Sequence, residues 1–135
     1  MDGSIEGGVS LQRYLFIAIG GGLGSMLRYF IGVTAAERFG PRFPLGTLII
    51  NICACFLIGL SIEFLNHHAA LNPAWRYLIP IGFIGGFSTF STFEWEVWSS
   101  VASGAFWIAL AYIAVSLIAG FIAVALGAAT ARTVS

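Results

Sequence analysis

The run Gly85-Gly86-Phe87-Ser88-Thr89-Phe90-Ser91-Thr92-Phe93 decides how this chain folds. It lies in the middle of a long apolar stretch, where hydroxyls repeated every third residue are out of place against lipid. Each of the two glycines weakens a helix by about 1 kcal/mol relative to alanine. A bilayer tolerates irregular, hydroxyl-rich backbone only inside protein or along a water-filled path. The expectation is a helix that breaks mid-membrane, with a site or pore at the break.

Composition agrees. Of 135 residues, 59% are hydrophobic and 9% charged, with a mean hydropathy of +0.93. A soluble domain carries roughly 25% charged residues. The chain therefore reads as an all-α integral membrane protein. A soluble lipid-binding bundle is the remote alternative, because too few polar residues remain to wet its surface. The length permits one small domain. There is no lysine, and six arginines balance six acids, which leaves no basic patch for nucleic acid. Cys53 and Cys55 would point away from each other on a helix and read as inert. Met1 to Gln12 carries Asp2 and Glu6 and no basic n-region, so it reads as a short polar tail, not a signal peptide.

A membrane span needs about 20 apolar residues. Four stretches qualify: 14–34, 45–65, 77–101 and 105–126. A polar turn with two prolines (35–44), a loop (66–76) and the pair Ser103-Gly104 separate them. Trp75, Tyr77, Trp98 and Trp107 fall near span ends, where an aromatic belt belongs. Four spans put both termini on one side, with Arg13, Arg76 and Arg132. The other side holds Arg38 and Arg42, with Arg28 deeper. With the arginines so nearly balanced, the positive-inside rule favours neither orientation. Either a weaker cue orients the chain, or both orientations insert and pair as antiparallel dimers. Four helices can hardly enclose an aqueous path alone, so an oligomer is expected. Gly20 and Gly24 form a Gly-x-x-x-Gly face for close helix packing, within one chain or between two.

If residues 87–93 are helical, each step of three turns about 300°. The repeat then forms neighbouring ladders of phenyl rings (Phe87, Phe90, Phe93), serines (Ser88, Ser91) and threonines (Thr89, Thr92). Ring edges carry positive partial charge, and hydroxyls donate hydrogen bonds. Together they can line an anion path without a fixed cation, and conduction needs binding weak enough to release the ion. Unwinding at Gly85-Gly86 would free backbone carbonyls for a cation such as Na⁺. The opposing reading is plain packing, with each hydroxyl bonded back to the carbonyl four residues earlier.

Other polar residues also fall at membrane depth. Asn51 lies six residues into the second span. A buried amide is costly unless partnered, by an anion or by a neighbouring helix. Tyr112 and Ser116 share one helical face, continued by Gly120; helix–helix bonding explains them equally well. Arg28 sits about 9 Å inside its span end. It can snorkel to the interface or supply positive potential to a vestibule. Glu94 and Glu96 follow the repeat, Glu63 reads as water-facing, and His67-His68 as solvated. No Ser/His/Asp arrangement, HExxH or lysine-bearing phosphate loop occurs, and Gly20-Gly24 lacks the strand a dinucleotide site requires. The chain does not read as an enzyme.

Three motifs now stand together: GGGLGSMLRY (20–29), PLGTLIIN (44–51) and GFIGGFSTFSTFEWE (82–96). They resemble the CrcB/Fluc family of small fluoride channels, over about residues 16–127. The resemblance implies a fluoride-selective passive channel that exports F⁻ across the cell's inner (plasma) membrane and lowers cytoplasmic fluoride. It implies an antiparallel, dual-topology homodimer with two pores, whose third helix is broken. It also implies a structural Na⁺ held by backbone carbonyls, at positions matching Gly85 and Ser88. Its pore phenylalanines match Phe90 and Phe93, and its pore asparagine matches Asn51. Its hydroxyl track matches Ser91 and Thr92, with Tyr112 and Ser116 on the last helix. Its first-helix arginine matches Arg28. Phe87 and Thr89, in the same repeat, match none of these roles and are expected to pack. The chain departs from the pattern in places. Ser88 stands where threonine is usual, which a carbonyl ligand survives. Ala54 stands where glycine is common, and Glu94 replaces a small residue, placing a carboxylate where anions would enter. Two competing readings are a proton-coupled exporter of organic cations, which needs a carboxylate deep in the membrane, and a structural membrane protein that transports nothing.

Overall fold

The computed structural model describes residues 4–134, with side chains from Leu11 onward. It is all helical. The elements are α1 (Ser4–Phe39), α2 (Leu45–His67), α3 (74–87), α4 (Phe90–Ala102) and α5 (Phe106–Thr133). Among the described residues, three helices are long and apolar enough to cross a membrane: α1 from Leu11, α2 and α5. The expected span 77–101 is instead two shorter helices, α3 and α4, separated by extended backbone at Ser88 and Thr89. Much of α3, Tyr77–Ile84, is π-helical around Pro80. Proline lacks the N–H an α-turn needs and crowds the preceding carbonyl; a wider turn accommodates it.

Helix ends follow local chemistry more than hydropathy. Residues 35–39, expected in a polar turn, continue α1, since Glu37 and Arg38 are tolerable helix residues. The stop is Gly40, with φ +77°, a left-handed helix end that favours glycine. Ser4–Gln12, expected as a tail, are also helical; Met1–Gly3 lie outside the described residues. The alanine-rich end of α5 carries that helix to Thr133. The Ser103-Gly104 turn forms where the sequence placed it, with Gly104 at φ +83°.

Small residues decide which helices meet. α1 packs along α3, and α2 along α5. A Cβ on Gly20 would overlap the Leu78 carbonyl, and one on Gly24 the Phe83 carbonyl. Across α2 and α5, Gly59 abuts the Val124 carbonyl and Gly127 the Phe56 carbonyl. The Gly20/Gly24 face thus serves packing inside one chain. Two apolar cores flank the break. Ile50, Ala54, Ile84 and Phe87 form the first. Leu48, Phe93 and Tyr112 form the second. At one end of the helices three arginines are anchored. Arg13 lies 5.3 Å from the centre of the Tyr77 ring. Arg76 donates to the Leu65 carbonyl and to Asn66. Arg132 pairs with Glu63 at 2.6 Å, so Glu63 is engaged rather than simply hydrated.

Candidate functional site

Breaking a helix leaves backbone groups that need new partners. Here side chains supply them. The Thr89 N–H donates to Asn51 Oδ1 at 2.9 Å, and Asn51 Nδ2 donates to the Thr89 carbonyl at 3.1 Å. The Asn51 amide thus pairs with Thr89 as a neighbouring strand would. Thr89 Oγ1 accepts from the Thr92 N–H at 3.3 Å, capping α4, and donates to Thr92 Oγ1 at 3.0 Å. On the other side of the break, the Gly86 carbonyl accepts from Arg28 Nε at 3.1 Å and from Ser25 Oγ at 3.3 Å.

These partnerships select which carbonyls stay free. In an unbroken helix the Gly85 carbonyl would receive the Thr89 N–H, and the Ser88 carbonyl the Thr92 N–H. Both donors are taken by side-chain oxygens, and among the described residues no other donor replaces them. Gly85 and Ser88 line one small cavity of about 160 Å³, shared with Cys55 and Ile58.

A second constellation lies on the far side of Phe93. Glu96 accepts from Thr47 Oγ1 at 2.7 Å and from the Tyr112 hydroxyl at 2.8 Å. The Tyr112 ring is fully buried and meets the Phe93 and Phe43 rings edge-on, at 5.0 and 5.6 Å. A cleft of about 410 Å³ joins the two regions; its polar lining is Arg28, Tyr29, Thr47, Thr89, Thr92 and Glu96.

The sequence candidates distribute unevenly over this architecture. Asn51, Thr92 and Arg28 meet at the break and its cleft, Arg28 facing the cleft instead of reaching a helix end. Phe93 and Tyr112 touch in the second core. Phe90 is 73% exposed on the protomer, although its ring lies 5.9 Å from that of Phe93. Ser91 is exposed. Ser116 Oγ is buried and, among the described residues, has no hydrogen-bond partner. Gly85 and Ser88 come together through their shared cavity. Phe87 is buried in the first core, and Glu94 is exposed.

Sequence reasoning passes over several residues. Thr89, expected only to pack, is the residue on which the break turns. A threonine three residues after a Gly-Gly pair and just before an apolar-periodic run is a legible helix-start signal. Ser25, Thr47 and the bonding of Glu96 have no such signal, because their partners lie 49 or more positions away for Ser25 and Thr47 and on two other helices for Glu96.

Residues 15–128 match the family model described as CrcB-like protein, Camphor Resistance (CrcB). That region contains the break and every candidate residue. The chain is 46% identical to the fluoride-specific ion channel FluC of Solibacter usitatus, over 90% of this chain and 99% of the relative. It is 49% identical to FluC of Acidobacterium capsulatum, over 86% of this chain and 93% of the relative. FluC of Citrifermentans bemidjiense is 40% identical over 90% and 98%. A match across most of the chain, at this identity and with the helix break inside it, shows that the chain belongs to the CrcB family.

Proposed function

We propose that this chain is the protomer of a passive fluoride channel. Two copies, inserted in opposite orientations in the cell's inner membrane, would export F⁻ and lower cytoplasmic fluoride. The observation that carries this reading is the high identity to relatives named fluoride-specific ion channel, over nearly the whole length of both chains.

The local chemistry supports it. Fluoride is small and strongly hydrated, so a path must offer close donors in place of water. Asn51 has a second amide N–H beyond the one given to Thr89. Ser91 and Thr92 add hydroxyls near the start of α4. Ser116 holds a buried hydroxyl without a partner, and a passing anion would satisfy it. The edges of Phe90 and Phe93 add positive partial charge without a fixed cation. Tyr112 holds Phe93 in place through its ring. Arg28 supplies positive potential at the cleft.

The second copy follows from the same residues. Phe90 cannot enclose a path while 73% exposed. A partner laid antiparallel would cover it, and the near balance of arginines on the two ends favours both orientations. With the break of α3–α4 counted as one interrupted crossing, each protomer would span the membrane four times. The carbonyls of Gly85 and Ser88 suit an oxygen-seeking cation, because each lacks the donor a helix would give it. A Na⁺ there would supply positive charge that ties the two breaks together. It is structural and takes no part in conduction.

The test is ion efflux from liposomes holding the purified protein. Rapid passive F⁻ flux with little Cl⁻ flux is the expected result. A folded dimer that releases no F⁻ refutes the proposal. Proton-driven uptake of an organic cation would move the assignment to the exporter class.

A further inference from the structure

We propose that Asn51 and Thr89 are positioning residues for the cation at the helix break, acting by withholding donors from its ligands. The proposal rests on the reading that Na⁺ binds the Gly85 and Ser88 carbonyls. Backbone carbonyls are present in every helix, and within it the N–H four residues later occupies them. What differs here is the fate of two N–H groups. Asn51 Oδ1 holds the Thr89 N–H at 2.9 Å, and so Gly85 is left open. Thr89 Oγ1 holds the Thr92 N–H at 3.3 Å, and so Ser88 is left open. Of the two intervening carbonyls, that of Gly86 is filled by Arg28 and Ser25, and that of Phe87 belongs to a residue buried in the first core and outside the lining of the cavity that Gly85 and Ser88 share. Four hydrogen bonds therefore leave open two carbonyls on residues that line one cavity and close a third. Neither Asn51 nor Thr89 Oγ1 needs to touch the ion. Asn51 thereby has two jobs. Its oxygen keeps the cation ligand open, and its nitrogen, after giving one N–H to the Thr89 carbonyl, keeps the second for the anion path.

The proposal is tested on the full-length dimer. Sodium binding is followed by ²³Na NMR and by the sodium dependence of thermal unfolding, and F⁻ efflux is measured in parallel. Thr89→Val removes the Oγ1 acceptor while keeping shape, which lets the Thr92 N–H compete for the Ser88 carbonyl. Sodium affinity should fall roughly three- to tenfold, the strength of one ordinary hydrogen bond. Thr89→Ser keeps the acceptor and should bind within about twofold of wild type. Asn51→Ala removes the acceptor of the Thr89 N–H, which lets that N–H compete for the Gly85 carbonyl, and sodium affinity should again fall roughly three- to tenfold.

A wild type without saturable sodium binding refutes the cation site, and this proposal with it. A wild type that binds sodium, with Thr89→Val unchanged, overturns the positioning role and leaves the site standing. If Thr89→Val fails to form a dimer, Asn51→Ala decides alone: unchanged sodium affinity in that dimer overturns the proposal, and a fall supports it.

Discussion

Replacing Gly24 by alanine adds one methyl group, and the structure says where it goes. It would overlap the Phe83 carbonyl and stand 2.8 Å from the Phe87 nitrogen, both of them backbone. Relief to ordinary van der Waals distance, 3.4 Å or more, requires α1 and α3 to separate as bodies. Overpacking of this kind costs about 1–3 kcal/mol. The same separation lengthens the bonds from Ser25 and Arg28 to the Gly86 carbonyl, now at 3.3 and 3.1 Å. Losing the Arg28 bond, to a charged donor, adds about 1.5–3 kcal/mol. Alanine returns about 1 kcal/mol of helix propensity. The net loss is therefore about 2–5 kcal/mol. Gly22, two residues earlier on the same helix, has nothing within 4 Å of its Cβ position, so Gly22→Ala should be neutral or slightly stabilising. Both variants would be purified in detergent, checked for dimer by size exclusion, and unfolded while tryptophan emission is recorded. Gly24→Ala should also lose F⁻ flux in liposomes. Equal stability of the two variants would refute the assignment of this glycine face to packing within the chain.

The other predictions concern the side chains around the break. Tyr112→Phe keeps the ring contacts with Phe93 and Phe43 but removes the hydroxyl that Glu96 accepts from. It should lower unfolding stability by about 1.5–3 kcal/mol, measured by the same unfolding assay. Phe87→Ala empties a buried site packed against Ile50 and Ala54 and should cost about 3–5 kcal/mol. Phe90→Ala should leave protomer stability nearly unchanged and depress F⁻ efflux, because that ring is exposed on the protomer. Glu94 is exposed, so Glu94→Gln should raise F⁻ efflux at low ionic strength and leave it unchanged near 1 M salt, where the Debye length is about 3 Å.

Much of the architecture is legible in the sequence because lipid imposes a simple rule. Apolar runs of sufficient length must be helices, and hydroxyls with paired glycines must mark a place where that rule is relaxed. A break in the third segment follows from that reasoning, which places it at Gly85-Gly86. Both glycines instead stay helical, and the extended backbone falls at Ser88 and Thr89, where side chains take up the freed N–H groups. The two-helix form of the third segment extends it, and the π-helical stretch around Pro80 could be foreseen only as a local disturbance. Hydropathy makes α1 too short at both ends, because it marks the bilayer and says nothing of the helix that continues beyond it. The candidate residues are legible as polar groups at depth. Their partners are not. Asn51 could have faced an anion or another helix; it binds the backbone of Thr89, 38 positions away.

The order of residues is enough to establish a membrane protein, an interrupted helix in the run that begins at Gly85-Gly86, and the hydroxyls and rings that lie near the interruption. These are properties of short segments in a solvent that offers no hydrogen bonds. What holds the interruption open is set by the packing of distant segments. Arg28 and Ser25 from α1 and Asn51 from α2 reach the broken ends across the fold, and Thr89 caps the second half. A hydrogen bond is local in space and indifferent to separation along the chain. The choice of which carbonyls are closed and which stay free is therefore made by packing.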